Sequence, residues 1–339
     1  MAAILILIRH TGSFWHFAFY RSYLAVDLFF VLSGFVIAYA YDEKLVTGAF
    51  SVGRFVKVRL IRLYPVYLMS LLLCAYVSSS ALWNGSAPAG VSSGDLITVI
   101  ALSALYLPSR LPGMNDLFPI NSIYWSLFFE LVVNVAYARI RRALSARVLV
   151  GIAVFFSVVL ATLCFEYGKL DEGFTWTPAS LIAGLSRASF GIFLGLLLFR
   201  IRSPFLQRWG GLCSPWIASF MVCLVLVTPK LGRVDGLIDW LGVVVIFPVM
   251  VLFASKPSET KLAGLLEVLG AASYPIYVFH RPVGELITRQ IGPFVGRHAP
   301  FSGLVLVTLL VTFSVLLERY VDIPVRRWLS TRFLGKRSV

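Results

Sequence analysis

The side chains able to do chemistry in this sequence lie at the ends or in the middle of long apolar runs. His10 closes the first run, and His280 lies in SYPIYVFHRP at 273–282. Imidazole changes protonation near neutral pH, so two of them converging from distant runs could accept a proton from a substrate; the alternative is a pair of boundary anchors. Pro275 and Pro282 remove amide donors around the second histidine. The carbonyls they expose lie near Tyr277 and His280, which are three apart and share a helix face. His16 and His298 stand beside polar residues in loops and read as solvated.

Asp27, Glu130 and Arg187 are ionisable groups inside apolar runs. Each costs at least about 2.5 kcal/mol at the centre of a membrane helix, so each needs a reason. Glu130 lies nine residues after Asn121 and Arg187 nine after Pro178, which puts both near mid-depth if the two runs enter from the same side. They either line a site or form a Glu130–Arg187 pair that only fixes packing. Asp27, one turn inside its run, is placed to orient His10 or another polar group. Ahead of and within the third run stand Arg54, Lys57, Arg59 and Arg62. Arg59 and Arg62 share one face, and a guanidinium fork suits a phosphorylated ligand; orientation of the chain in a membrane is the competing use of the same charges.

The elements that must position these groups follow from composition. The chain has 339 residues, 59% of them hydrophobic and only 14% charged, with mean hydropathy +0.86. That excludes a soluble globular protein. A net charge of +14 would point a soluble chain toward nucleic acid, but here the cations lie between apolar runs and form no stripe, so no nucleic-acid partner is expected. Cys74, Cys164, Cys213 and Cys223 have no CxxC spacing and read as packing residues, and no metal site is expected.

Eleven apolar runs appear: 1–9, 24–41, 60–80, 95–108, 121–139, 147–166, 178–199, 213–229, 236–254, 264–281 and 301–318. A crossing takes about 20 helical residues. The positive-inside rule decides the parity. If 95–108 does not cross, twenty of the thirty Lys and Arg fall in the inner segments 42–62, 139–147, 200–212, 255–262 and the tail from Arg319. The outer segments, 281–300 among them, then hold nine. The fold expected is an all-α polytopic membrane bundle of about ten transmembrane helices, with 95–108 embedded or re-entrant and both termini cytoplasmic. One domain is expected over 1–339, with 319–339 as a basic cytoplasmic tail.

Taken in order, six stretches resemble membrane acyltransferase family 3, multi-span O-acyltransferases of bacterial exopolysaccharides and surface glycans. They are His10 at the end of its run, VDLFFVLSGF at 26–35, RLIRLYP at 59–65, YWSLFFE at 124–130, RASFGIFLG at 187–195 and SYPIYVFHRP at 273–282. The resemblance implies an acyl-CoA co-substrate, usually acetyl-CoA, and no tightly bound cofactor. It implies a glycan hydroxyl as acceptor and residence in the bacterial inner membrane. His10 would be the catalytic imidazole, as acyl carrier or general base, with Glu130 and Asp27 in the catalytic centre. Arg59, Arg62 and Arg187 would serve the donor, and Tyr277, His280 and Trp125 the acceptor. The family also carries an Arg eleven residues before this His, a position that falls ahead of Met1. The first run covers only about 13 Å of helix. Both features lead to the expectation that the native start lies upstream of Met1. Two other readings stand beside the enzyme: a transporter or flippase, since midplane charges and broken helices also mark translocation paths, and an inactive remnant of the acyltransferase.

Overall fold

The computed structural model describes residues 1–256 and 263–335. The end of the inner segment expected at 255–262 and the last residues of the basic tail, 336–339, therefore lie outside the described residues. Every apolar run is helical. The helices are α1 (Ala2–His10), α2 (Ala25–Val46), α3 (Val52–Trp83), α4 (Ser93–Ala104), α5 (Tyr124–Ile140), α6 (Ala146–Tyr167), α7 (Pro178–Trp209), α8 (Pro215–Val227), α9 (Asp235–Leu241), α10 (Phe247–Ala254), α11 (Ala263–Arg297), α12 (Phe301–Leu317) and α13 (Ile323–Leu334). The π-turns Gly242–Ile246 and Glu318–Asp322 splice α9 to α10 and α12 to α13. No strand occurs among the described residues, only two isolated bridges.

Six helical stretches are long and apolar enough to cross a membrane: Tyr20–Val46, Val52–Trp83, Ala146–Tyr167, Pro178–Trp209, Gly232–Ala254 and Phe301–Leu334. The other elements fall short for identifiable reasons. The 9 residues of α1 and 13 of α8 reach about 14 and 20 Å, and the 17 of α5 about 25 Å, against a hydrocarbon core of about 30 Å. α11 is long, but Arg281, Glu285 and Arg289 interrupt its apolar sequence.

The run at 95–108 forms a 12-residue helix. Its N-terminus is closed by a capping box, in which Ser92 Oγ accepts from the Asp95 amide and the Asp95 carboxylate accepts from the Ser92 amide at 2.9 Å. Its C-terminal carbonyls are met by tyrosines of α3: Tyr64 donates to Ala104 O at 2.6 Å and Tyr67 to Ser103 O at 2.7 Å. Both ends of the helix thus have terminal backbone groups satisfied by protein side chains.

One expectation at the C-terminal end is corrected. The segment 281–300 is not a loop up to Arg297, because α11 continues through Pro275 and Pro282 and departs from helical geometry only at Ile291. Glu285 and Arg289, four apart, pair at 2.5 Å, and Arg289 also donates to Val77 O on α3, so the charges that suggested a loop instead tie the helix down. The tail from Arg319 is likewise helical to Leu334, lying against α3.

The most extensive helix pair is α2 with α7. Glycines let the backbones meet. A Cβ at Gly34 would overlap the Ile192 carbonyl, one at Gly195 the Val31 carbonyl, and one at Gly191 would sit 2.5 Å from Phe30 Cβ. Close approach through small residues is how membrane helices gain packing without a hydrophobic drive between them. Gly34→Ala and Gly195→Ala are each expected to destabilise the fold by about 1–3 kcal/mol through overpacking. Thermal unfolding in detergent checks this against Gly151→Ala on α6, where a Cβ meets nothing within 4 Å and no loss is expected.

Candidate active site

The α2–α7 contact places the first buried charge pair. Arg187 on α7 grips Asp27 on α2 with both arms of its guanidinium, Nε to Oδ1 at 2.9 Å and Nη2 to Oδ2 at 2.6 Å. Its remaining donors reach the carbonyls of Glu172 at 2.5 Å and Tyr23 at 3.3 Å, and the Trp125 ring lies against it at 5.1 Å. Both side chains are 1% exposed. Of the two readings of Glu130 and Arg187, the one in which they pair with each other is therefore ruled out. Equal depth in sequence did not make these two neighbours, because α7 presents Arg187 to the helix its glycines pack against. Of the two partners open to Asp27, His10 or another polar group, it is the second that the structure shows, since Arg187 occupies both of its oxygens.

Glu130 pairs instead with Arg59, whose Nη2 lies 2.5 Å from Oε1, and Ser33 Oγ donates to the same oxygen at 2.5 Å. Arg62 is 40% exposed and stands 3.7 Å from Glu318 and 3.8 Å from Asp322. Arg326 holds those carboxylates more closely, at 2.7 and 2.9 Å. Of the two arginines expected at the donor, Arg59 is thus held tightly by Glu130, while Arg62 is more exposed and only loosely paired with Glu318 and Asp322.

The two histidines converge. His10 Nδ1 and His280 Nε2 are 2.9 Å apart, in rings inclined by only 9°. His280 Nδ1 lies 3.2 Å from the carbonyl of Ile276. A carbonyl can only accept, so the proton of neutral His280 sits on Nδ1. His280 Nε2 then accepts from His10 Nδ1–H, and the lone pair of His10 falls on Nε2. His10 is exposed, whereas His280 is fully buried behind it. The expected contact between His280 and an acceptor is corrected accordingly: its side chain is fully buried and its ring faces His10, which lines a cavity. Pro282 leaves the Val278 carbonyl without its helical donor, and Ser70 Oγ at 2.7 Å and Asn121 Nδ2 at 3.2 Å fill the gap, locking this part of α11 to its neighbours.

That cavity holds about 450 Å³ and is walled by His10, Trp125, Arg187, Tyr277 and Arg281. The loops before α5 and α7 also line it, through Asp116, Asp171 and Phe174. They are knitted together by Leu117 N to Phe174 O at 2.8 Å and Trp176 N to Asn115 O at 3.0 Å. Burial pushes the Asp116 carboxyl above its usual value, opposed by the nearby Arg281 guanidinium. A second cavity of about 410 Å³ contains Ser33, Arg59, Arg62, Glu130 and Tyr274. Val26 and Tyr277 line both cavities, so the two abut.

Sequence reasoning missed two arginines. Arg281 lines the histidine cavity and donates to Ser122 Oγ. Among the described residues it has no carboxylate at ion-pair distance, unlike Arg9, which pairs with Asp171 at 2.6 Å. Its position directly after His280 was the available signal. Arg21, counted among outer-loop cations, is completely buried. It contacts Asp235, Asp239 at 3.1 Å and the Thr228 and Pro229 carbonyls, while Tyr23 donates to Asp239 at 2.6 Å. This cluster braces the wall of the site from behind. The signal for it was Asp235 and Asp239, four apart on one face. His16 and His298 are exposed, as expected, and Cys74 and Cys164 are buried and unbridged.

An acyltransferase-domain family profile matches residues 1–317. The chain belongs to this acyltransferase family. Among its relatives, "Protein 2 in picA locus" of Rhizobium radiobacter is 37% identical over 174 residues, 49% of this chain and 91% of that protein. "Exopolysaccharide production protein ExoZ" of Rhizobium meliloti (strain 1021) is 24% identical over 303 residues, 87% of each chain. Among solved structures there is no match. This acyltransferase is thus a multi-helix protein with several membrane-length helices, and the stretches that carried the resemblance also build both cavities.

Proposed function

We propose that the chain is a membrane O-acyltransferase that moves an acyl group, acetyl in the first instance, from acyl-CoA to a hydroxyl of an exported polysaccharide. The observation that carries the reading is the pair of abutting cavities, one holding the exposed, loosely paired guanidinium of Arg62 and the other the lone pair of His10. The donor's phosphates meet Arg62, with Arg59 held in place by Glu130. The pantetheine arm brings the thioester to the boundary formed by Val26 and Tyr277. The acceptor lies in the histidine cavity, where Trp125 offers an aromatic face and Asp116 a hydrogen-bond partner for sugar hydroxyls. The relative named for exopolysaccharide production supports a glycan as acceptor.

His10 Nε2 takes the hydroxyl proton as the alcohol oxygen attacks the thioester carbonyl. The C–O bond forms, the C–S bond breaks, and the proton passes to the departing thiolate, giving ester and free CoA. Arg281 is the cation on this cavity left to stabilise the transient oxyanion. Arg187 and Asp27 neutralise each other and act as a structural wall, so neither contacts the reacting atoms.

In the membrane, the reading adds α1, α5, α8 and α11 to the six span-length stretches, giving ten crossings of a bacterial inner membrane with α4 embedded. Both ends lie in the cytoplasm, beside the donor, in a single domain. The excess of cations in the segments assigned inside supports this orientation. The test is to incubate membranes containing the protein with labelled acetyl-CoA and isolate polysaccharide. Alkali-labile label on the polysaccharide is expected, and membranes that move unmodified glycan without labelling it would favour a transporter.

A further inference from the structure

The two cavities share Val26 and Tyr277, and both residues are packed tightly, at 8% and 6% exposure. The Tyr277 hydroxyl is held by Ser126 Oγ at 2.7 Å and lies 3.4 Å from the Ile123 carbonyl. Phe29 meets its ring edge-on at 5.9 Å, and the His280 ring lies 6.1 Å away. A group passing from the arginine cavity to His10 must therefore pass a phenol anchored at its tip. We propose that Tyr277, with Val26, is the partition between donor and acceptor cavities, and that it limits the length of the acyl group transferred while sealing the thioester from water.

This rests on the two-cavity reading of the function and goes beyond it by assigning acyl selectivity to two residues. The physical basis is steric. The ring and Val26 occupy the boundary itself, so an acyl chain longer than acetyl that entered it would have to displace them. Removing either side chain opens room for a longer chain. An apolar wall discriminates by about 10-fold or more per methylene, so the change is large enough to read as a ratio. The same opening lets water reach the thioester carbonyl, with acid and free CoA as products.

The experiment compares wild type, Tyr277→Ala, Val26→Ala and Tyr277→Phe in membranes, with acetyl-CoA and butyryl-CoA as donors. Transfer to polysaccharide and acceptor-free CoA release are both measured. Wild-type acetyl transfer is established first, so failure of the underlying function shows separately. Both alanine variants are expected to shift the butyryl-to-acetyl ratio upward by about 10-fold or more and to raise acceptor-free CoA release. Tyr277→Phe, which keeps the ring and loses only the tip hydrogen bond, is expected to keep the wild-type ratio. Should Tyr277→Ala not accumulate, Val26→Ala decides the matter. An unchanged ratio in alanine variants that still transfer acetyl would overturn the proposal.

Discussion

Replacing His10 with alanine is expected to lower acyl transfer by about 10²- to 10⁴-fold, the range a positioned proton acceptor contributes. The loss should fall on turnover and leave donor affinity almost unchanged, because Arg59 and Arg62 belong to the other cavity. Protein levels should hold, since His10 is exposed to the cavity at the end of a short helix. His280→Ala removes the acceptor that fixes the proton on His10 Nδ1, so it should also lower turnover, by less, because His10 retains its own lone pair. The double variant should be no slower than His10→Ala alone, since the second histidine acts through the first. Labelled acetyl incorporation across a range of acetyl-CoA concentrations checks all three. Full turnover in His10→Ala would remove the histidine from the chemistry.

Breaking the Arg187–Asp27 pair has the largest expected effect on stability. Arg187→Met leaves the Asp27 carboxylate buried and unpaired, and a loss of about 3–5 kcal/mol is expected. Asp27→Leu alone should cost a similar amount by stranding the guanidinium. The double variant Asp27→Leu with Arg187→Met should recover much of it, because neither charge is left uncompensated. Recovery should stay incomplete, since Arg187 also serves the Glu172 and Tyr23 carbonyls, which would then have to find other donors. Thermal unfolding in detergent measures the cycle. Equal losses that simply add would show that the two side chains do not depend on each other.

What could be read from the sequence divides along a physical line. Apolar runs announce helices because a membrane helix must satisfy its backbone within itself, and every run is helical. The convergence of His10 and His280 was also legible, because both imidazoles sit where an apolar run meets polar residues. Partner choice was not. Glu130 and Arg187 lie equally far along their runs in sequence but do not meet, since Gly34, Gly191 and Gly195 bring α7 against α2, where Arg187 finds Asp27. The burial of Arg21 was hidden for the same reason, as its carboxylates lie more than two hundred residues away. The helical continuation of α11 to Arg297 was masked because its charges resemble a loop until Glu285 and Arg289 are seen to pair. Spacing within a segment is encoded locally, whereas adjacency between segments is set by packing.

The most direct test of a two-sided acyl transfer uses sealed vesicles of one orientation, with acetyl-CoA confined to one face and acceptor polysaccharide to the other. Acetylated polysaccharide is expected only when acetyl-CoA is on the Arg62 face and the acceptor is on the His10 face. Transfer that requires both substrates on the same face would contradict the account.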